Sequence, residues 1–155
     1  MTAILGSEAP NFSANTDGSG TISLKDLRGK TVVLYFYPKD DTSGCTAEAC
    51  DFRDNMQRLT SSGAVVLGVS PDSPKSHDKF KQKYDLNFAL VSDESHEICE
   101  SYGVWVEKSM YGRKYMGVER STFVINAEGV LTHEWRKVKV PGHVDEVLAA
   151  VESLA

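Results

Sequence analysis

The chain has 155 residues, of which 41% are hydrophobic and 25% are charged, and its net charge at pH 7 is -5. These proportions are ordinary for a globular protein, and the length suits one domain, which we expect to cover residues 1–155. The acidic balance argues against a nucleic acid or an anionic membrane surface as the main partner. There is no apolar stretch of the roughly 20 residues that span a membrane, and the first residues lack the basic start and long apolar run of a signal peptide. We therefore expect a cytosolic protein.

The first half of the chain alternates strand and helix patterns. Residues 11–24 contain two short runs around a Gly/Asp turn and predict an N-terminal β-hairpin. Residues 31–37, TVVLYFY, are β-branched and aromatic without polar alternation, which is typical of a strand buried on both faces. A helix is predicted over residues 43–62, with Thr42 or Ser43 as its cap.

The second half continues this alternation. Its predicted elements are a buried strand at 64–70, a helix at 74–84, a strand at 88–93, a short helix at 94–102, strands at 121–126 and 131–138, and an amphipathic helix from 142 onwards. This order predicts an α/β fold with a mostly buried, mixed central sheet and helices on both faces. In such sheets, sites lie beyond the carboxyl ends of the strands, so chemistry is expected at residues 38–45.

Three cysteines, Cys45, Cys50 and Cys99, bear on that chemistry. A secreted disulfide scaffold normally has more of them, in even number, and in a reducing compartment a close pair is more often catalytic or metal-binding than structural. Zinc and iron–sulfur sites usually need four ligands. Only two cysteines are close in sequence and no histidine is near them, so a metal site is not expected, although ligands from distant segments could still converge.

Helical geometry separates Cys45 from Cys50. At 100° per residue, five positions fall on one buried stripe of the predicted helix, namely Cys45, Ala49, Phe52, Met56 and Leu59. Cys50 lies about 140° from Cys45 around the axis, where core packing does not explain it. The two Cα atoms would be about 8.6 Å apart, whereas a disulfide needs roughly 4.4–6.8 Å. A permanent bridge is therefore not expected, and a transient one requires the helix start to unwind.

Cys45 is the better nucleophile on electrostatic grounds. The first turn of a helix offers unpaired backbone N–H groups and the positive end of the helix dipole, both of which favour a thiolate. Asp40 and Asp41 oppose this effect, so a nearby cation would be useful. The local sequence offers only Lys39 and Arg53, and a distant arginine brought in by the fold would serve better.

Residues 38–45, PKDDTSGC, match the Pro-x-x-x-Thr-x-x-Cys signature of peroxiredoxins. With Cys50 five residues after the motif cysteine, the chain resembles the bacterioferritin-comigratory-protein group, also called peroxiredoxin Q. The resemblance covers almost the whole sequence. Residues 6–40 are similar to the opening of that group, and residues 110–126, in which Arg120 precedes a Thr-Phe strand, are similar to a later segment.

The resemblance implies a thioredoxin-like fold and reduction of peroxides without a metal ion or an organic cofactor. By position, Cys45 resembles the peroxidatic cysteine, whose thiolate attacks the peroxide O–O bond. Thr42 would hydrogen-bond the thiolate and the peroxide oxygens, Pro38 would shield the site from water, and Arg120 would supply the distant cation. Cys50 resembles the resolving cysteine, which condenses with the sulfenic acid formed by the first thiol.

The same resemblance implies the rest of the cycle. The substrates would be hydrogen peroxide and small organic hydroperoxides, a thioredoxin, or else a glutaredoxin, would reopen the disulfide, and the protein would be a monomer. Glu48 would orient Arg120. Many members have Thr-Pro-Gly-Cys where residues 42–45 read Thr-Ser-Gly-Cys, and we expect the missing proline to affect the stiffness of the turn and not the reaction.

Other candidate residues match no position of the motif. Cys99 is expected to be structural. Four histidines are expected on the surface or in packing, and not as bases: His77, His96, His133 and His143. Two other functions stay open. A thioredoxin-type disulfide oxidoreductase would normally have Cys-x-x-Cys, whereas four residues separate this pair, and a redox sensor would oxidise once without sustained turnover.

Overall fold

The computed structural model of the chain describes residues 3–155, which contain nine strands and five α-helices. The strands are β1 (Ser13–Thr16), β2 (Thr21–Ser23), β3 (Thr31–Phe36), β4 (Ala64–Ser70), β5 (Ala89–Ser92), β6 (Trp105–Met110), β7 (Arg113–Val118), β8 (Ser121–Ile125) and β9 (Leu131–Arg136). The helices are α1 (Ser43–Asp54), α2 (Met56–Ser61), α3 (Pro74–Tyr84), α4 (Glu97–Ser101) and α5 (His143–Leu154). Within the described range, no helix is both long enough and apolar enough to cross a bilayer.

Seven strands form one mixed sheet in the order β2-β1-β5-β4-β3-β8-β9. The central strands β3, β4 and β5 are parallel to one another, whereas β8 runs antiparallel to both β3 and β9. β1 and β2 form the predicted N-terminal hairpin, which joins the sheet through β5. The predicted α/β class and mixed central sheet are therefore confirmed.

Both faces of the sheet are covered, as the apolar run at 31–37 predicts. Val32 and Leu34 point into a core on one face, which includes Ile98 of α4. Val33 and Tyr35 point into a second core, to which α1, α3 and α5 contribute. Because side chains alternate along a strand, this arrangement leaves β3 no solvent-facing side, and the helices lie on both faces of the sheet as expected.

The antiparallel pairing of β3 with β8 determines what meets at the carboxyl end of β3. In that register, the last residue of β3, Phe36, lies opposite the first residue of β8, Ser121. Arg120 immediately precedes β8, and the segment that leads to α1 immediately follows β3. Residues more than seventy positions apart in the sequence are therefore adjacent at this edge of the sheet.

The prediction of one continuous helix over 43–62 is wrong, because this segment divides into α1 and α2 at Asn55. The Asn55 side-chain Nδ2 donates to the Asp51 carbonyl at 2.8 Å, which is the acceptor that its own backbone N–H would use in a continuous helix. That backbone N–H instead bonds the Phe52 carbonyl at 3.2 Å. The side chain thus replaces the main chain as donor and ends α1.

Two further elements differ from the sequence prediction. The short helix predicted at 94–102 begins only at Glu97, because His96 adopts a left-handed backbone conformation with φ of 67°. The antiparallel pair of β6 and β7 was not predicted at all. Most of the side chains in β7 are exposed, so this hairpin lacks the alternation of apolar and polar residues by which a strand is recognised.

Gly68 in β4 is a position where a side chain has little room. A Cβ there would lie 3.0 Å from the Tyr35 hydroxyl oxygen and 3.1 Å from Leu90 Cδ2. Tyr35 cannot easily move away, since its ring stacks on Phe52 of α1 with centroids 4.6 Å apart. We expect G68A to lower the free energy of unfolding, measured by urea denaturation, by about 1–3 kcal/mol.

The matched control for G68A is G117A in β7. A Cβ at Gly117 would lie 3.3 Å from the flexible stem of Lys108 and at an ordinary contact distance of 3.5 Å from the Tyr115 ring, so the change in unfolding free energy is expected to stay within about 0.5 kcal/mol. Equal losses in the two variants would contradict the packing argument.

Candidate active site

Cys45 is buried at the start of α1, directly after the segment 38–42 that leaves the carboxyl end of β3. It is the third residue of the helix, and 1% of it is exposed. Its side chain belongs to the same core as Ala49 and Phe52, as the helical stripe predicts. The thiol is free of any disulfide. A thiol here is held rigidly beside the unpaired N–H groups of the helix start.

Arg120 brings a cation to this thiol. Its Nη2 donates to Cys45 Sγ at 3.2 Å, and its Nη1 donates to Glu48 Oε1 at 2.6 Å. A Cβ at Gly44 would lie 3.2 Å from Nη2, so glycine leaves room for the guanidinium. Burial lowers the pKa of Arg120, but Glu48 and Cys45 outweigh burial and the pKa is raised overall. The structure thus brings together the residues that the sequence predicted to act together.

Glu48 fixes the far side of the guanidinium. Its side chain is fully buried, and within residues 3–155 its second oxygen, Oε2, has no hydrogen-bond partner. Burial raises the pKa of Glu48 to about 7, although Arg120 acts to lower it. Glu48 lies one turn after Cys45 on the same side of α1, which supports the orienting role expected for it.

Thr42 occupies the N-cap position of α1, but its hydroxyl does not cap the helix. The hydroxyl donates instead to the Lys39 carbonyl at 2.9 Å, so the predicted side-chain cap is wrong at this residue. Within the described part of the chain, Thr42 and Cys45 share no hydrogen bond. The Thr42 hydroxyl donates its one hydrogen to the Lys39 carbonyl. Its oxygen can still accept a hydrogen bond from a molecule that approaches the thiol. Pro38 is half-buried at the other end of the same segment.

Cys50 lies in the same helix but in a different environment. It is half-exposed and unbridged, whereas Cys45 is buried. α1 is continuous from Ser43 to Asp54, so the two thiols cannot meet at disulfide distance unless the start of the helix unwinds. The geometry agrees with the separation predicted from the spacing. Cys99 is also buried and free, and its backbone N–H donates to the Asp93 carboxylate at 2.8 Å.

The two aspartates before α1 are bonded to α3, a pairing that no local pattern in the sequence predicts. Asp40 is buried and its Oδ2 lies 2.7 Å from His77 Nδ1. Asp41 accepts from Lys83 Nζ at 2.8 Å and from the Tyr84 hydroxyl at 2.7 Å. Because each carboxylate has its own partners, the predicted opposition of these charges to a thiolate is offset by α3.

A group of possible metal ligands also occurs here. Single ligand atoms of Asp40, Asp72 and His77 lie within 4.8 Å of one another. The atoms are already engaged, however, because Asp40 Oδ2 faces His77 Nδ1 and Asp72 Oδ2 accepts from both the Asp40 backbone N–H and the Ser70 hydroxyl. A metal ion would have to displace these bonds, so we interpret the group as a hydrogen-bonded network.

Comparison with known proteins gives consistent matches along the chain. The AhpC/TSA family matches residues 5–134. The chain is 55% identical to the putative peroxiredoxin bcp of Coxiella burnetii over 148 residues, which cover 96% of this chain and 98% of that protein. It is 49% identical to the peroxiredoxin Bcp of Bacillus subtilis over 155 residues, which cover 100% and 99% of the two chains.

A solved structure agrees with these matches. The bacterioferritin comigratory protein of Xanthomonas campestris superimposes with a TM-score of 0.88 at 44% identity, covering 92% of this chain and 90% of that one. The thioredoxin-like fold expected from the sequence is thereby confirmed.

The raised pKa of Glu48 predicts a pH dependence of stability. In the unfolded chain this carboxyl loses its proton near its ordinary pKa of 4.5, whereas in the folded protein it keeps the proton up to about pH 7. The wild type is therefore expected to lose about 3 kcal/mol of unfolding free energy relative to E48Q as the pH rises through this interval. Urea denaturation of both proteins between pH 4.5 and pH 8 measures the difference.

The control for E48Q is E146Q, which changes an exposed glutamate of α5. We expect E146Q and the wild type to keep a constant difference over the same pH range. A constant difference for E48Q as well would contradict the effect assigned to burial of Glu48.

Proposed function

Since the chain belongs to the AhpC/TSA family of peroxiredoxins, and is therefore a thiol-dependent peroxidase, we propose that Cys45 is the thiol that reduces the peroxide. The observation that carries this assignment is the 3.2 Å contact between Arg120 Nη2 and Cys45 Sγ in the first turn of α1. A thiolate is the reactive form of cysteine, and both the guanidinium and the helix start favour that form. We infer that residues 1–155 form one peroxiredoxin domain.

The first step consumes the peroxide. The Cys45 thiolate attacks the terminal oxygen of the hydroperoxide, and the O–O bond breaks with its electron pair going to the departing oxygen. That oxygen takes a proton and leaves as an alcohol, or as water when the substrate is hydrogen peroxide. The sulfur keeps the other oxygen as a sulfenic acid. Arg120 stabilises the negative charge that develops on the oxygens as the bond breaks.

Thr42 and Pro38 shape the place where the peroxide binds. The Thr42 hydroxyl donates a hydrogen bond to the Lys39 carbonyl. In this proposal, its oxygen accepts a hydrogen bond from the O–H of the hydroperoxide and so orients the substrate. Pro38 has no backbone N–H donor, and its apolar ring limits the access of water. Neither group changes its protonation state, so both act by positioning.

The second step forms the disulfide. After the first turn of α1 unwinds, the Cys50 thiolate attacks the sulfenic sulfur of Cys45, the S–O bond breaks, and the oxygen takes up a proton and leaves as water. A dithiol reductant then reduces the disulfide by exchange and becomes oxidised itself. The half-exposed position of Cys50 lets its thiol reach solvent as α1 opens. No metal ion or organic cofactor takes part.

We propose the substrates and the reductant by analogy with a relative of the same family. The bacterioferritin comigratory protein of Xanthomonas campestris has alkyl peroxide reduction activity, and we propose hydrogen peroxide and small organic hydroperoxides as substrates here. We propose thioredoxin as the reductant, with a glutaredoxin as the other candidate, and a cytosolic monomer as the working form.

The experiment that tests this assignment compares the wild type with C45S and C50S. We expect the wild type to consume hydrogen peroxide with thioredoxin, thioredoxin reductase and NADPH, C45S to be inactive, and C50S to accumulate a sulfenic acid that dimedone traps. Full turnover by C45S would overturn the role of Cys45. Full thioredoxin-linked turnover by C50S would mean that Cys99 or a thiol of another molecule resolves the sulfenic acid. Reduction of insulin disulfides without peroxide turnover would indicate a general disulfide reductase.

A second prediction concerns the cation. R120M alone would leave the buried Glu48 carboxylate without its partner, so the test uses R120M/E48Q with E48Q as its reference. We expect the second-order rate constant of Cys45 with hydrogen peroxide, measured by stopped flow, to fall by about 10²–10³-fold. R113M, which removes an exposed arginine of β7, is the control and should react like the wild type. Equal rate constants for E48Q and R120M/E48Q would contradict the role of Arg120.

A further inference from the structure

A buried acid–base pair lies behind the reactive segment, and the steps above do not use it. The Asp40 carboxylate accepts from the Tyr37 hydroxyl at 2.6 Å and from the Ser76 hydroxyl at 2.8 Å, and it lies 2.7 Å from His77 Nδ1. The side chains of Asp40 and His77 are 4% and 0% exposed. In a polar network this deeply buried, each polar group needs a hydrogen-bond partner if the folded protein is to be stable.

The hydrogen-bond partners determine the protonation state of this pair. His77 Nε2 lies 3.0 Å from the Val91 carbonyl oxygen, which can only accept. Both ring nitrogens therefore face acceptors, and an imidazole can donate from both nitrogens only when it is protonated. Asp40 meets three donors, as expected of a carboxylate. Burial lowers the pKa of His77, but the hydrogen bond and charge of Asp40, with smaller effects from the Val91 carbonyl and Asp72, raise it overall.

The pair holds the segment that carries the catalytic motif. Asp40 lies between Pro38 and Thr42 in a stretch that belongs to no helix or strand. Its backbone N–H donates to Asp72 Oδ2 at 2.8 Å. The next residue, Asp41, adopts a left-handed backbone conformation with φ of 57°, which is uncommon outside glycine, although aspartate adopts it more readily than most residues. A segment with this backbone needs tertiary contacts to keep its shape.

We propose that His77 is a positioning residue that, through Asp40, holds the segment 38–42 and the first turn of α1 in the conformation that reacts with peroxide. When the pair is broken, the unwound conformation that forms the Cys45–Cys50 disulfide becomes favoured. This inference rests on the proposed function.

The buried pair is the stronger of two attachments of this segment to α3. Asp41 also bonds α3, through Lys83 and Tyr84, but the Asp41 and Lys83 side chains are 42% and 58% exposed, so water and salt screen that ion pair. Removing one member of the buried pair instead leaves an uncompensated charge in the core. Without His77, Asp40 either takes up a proton or moves towards water, and a movement of Asp40 also moves the residues beside it.

The test compares the wild type with H77Q, D40N and the double variant in the reduced state. Stopped flow measures the rate constant of sulfenic acid formation and, separately, the rate of disulfide formation. We expect H77Q to slow the first step by between about tenfold and a hundredfold and to speed the second. Faster hydrogen–deuterium exchange in residues 38–50 should accompany the change. The double variant should resemble the single variants and not the sum of their effects.

The control is K81Q, which breaks a partly exposed ion pair of α3, between Lys81 Nζ and Asp17 Oδ2 at 2.8 Å. It perturbs the docking of the same helix without touching the segment, so both rates should match the wild type. If H77Q lowers both rates together, or changes them no more than K81Q does, the positioning role is wrong. If the wild type itself forms no sulfenic acid on Cys45, the proposed function fails instead.

A measurement on the wild type keeps the proposal testable if H77Q does not fold. Nitrogen-15 NMR of the imidazole is expected to show both ring nitrogens of His77 protonated at pH 7. The groups that face this ring are the Asp40 and Asp72 carboxyls, the Tyr37 phenol and the Val91 carbonyl. A neutral His77 tautomer at pH 7 would overturn the ion pair and the proposal with it.

Discussion

The antiparallel contact between β3 and β8 is the constraint on which the site depends. It brings Arg120, just before β8, to the end of β3, where the chain turns into α1 and presents Cys45. Neither residue is near the other in sequence, and neither side chain could reach across the sheet if the register were different. Since a slip of one residue turns every side chain of a strand to the opposite face, the dense apolar packing on both sides of β3 fixes the register of β3 with β8.

Two charge pairs, each with a buried carboxyl group, adjoin the start of α1. Glu48 and Arg120 form one of them, and Asp40 and His77 form the other. Ion pairs in a core are not a general source of stability, because removing charges from water costs about as much as their attraction returns. These pairs instead fix orientation, since the hydrogen bonds within each pair form in a single arrangement of the segment 38–42 and of the first turn of α1. Apolar packing alone would hold the helix in place without specifying where the thiol and its cation meet.

The sequence predicted the parts of this arrangement that depend on local periodicity. The uninterrupted apolar run predicted β3. Helical spacing placed Cys45 on the buried side of α1 and Cys50 away from that side. Arg120 was identified only through resemblance to a family, because no local pattern reveals which arginine a sheet brings to a helix. The division at Asn55 depends on one side-chain amide replacing a backbone donor. The Asp40–His77 pair joins residues 37 positions apart. The sequence around Asp40 therefore does not indicate which histidine its carboxylate contacts.

The division at Asn55 also sets how far unwinding can spread. A helix melts cooperatively because each hydrogen bond depends on its neighbours along the same series. In α1 that series ends where the Asn55 amide takes the Asp51 carbonyl, so fraying that starts near Cys45 has no continuous path into α2. Leu59 stays buried in the core, and α2 remains a fixed anchor from which the short helix can rewind. In the proposed cycle, the opening is thereby confined to α1, while α2 keeps its place against the sheet.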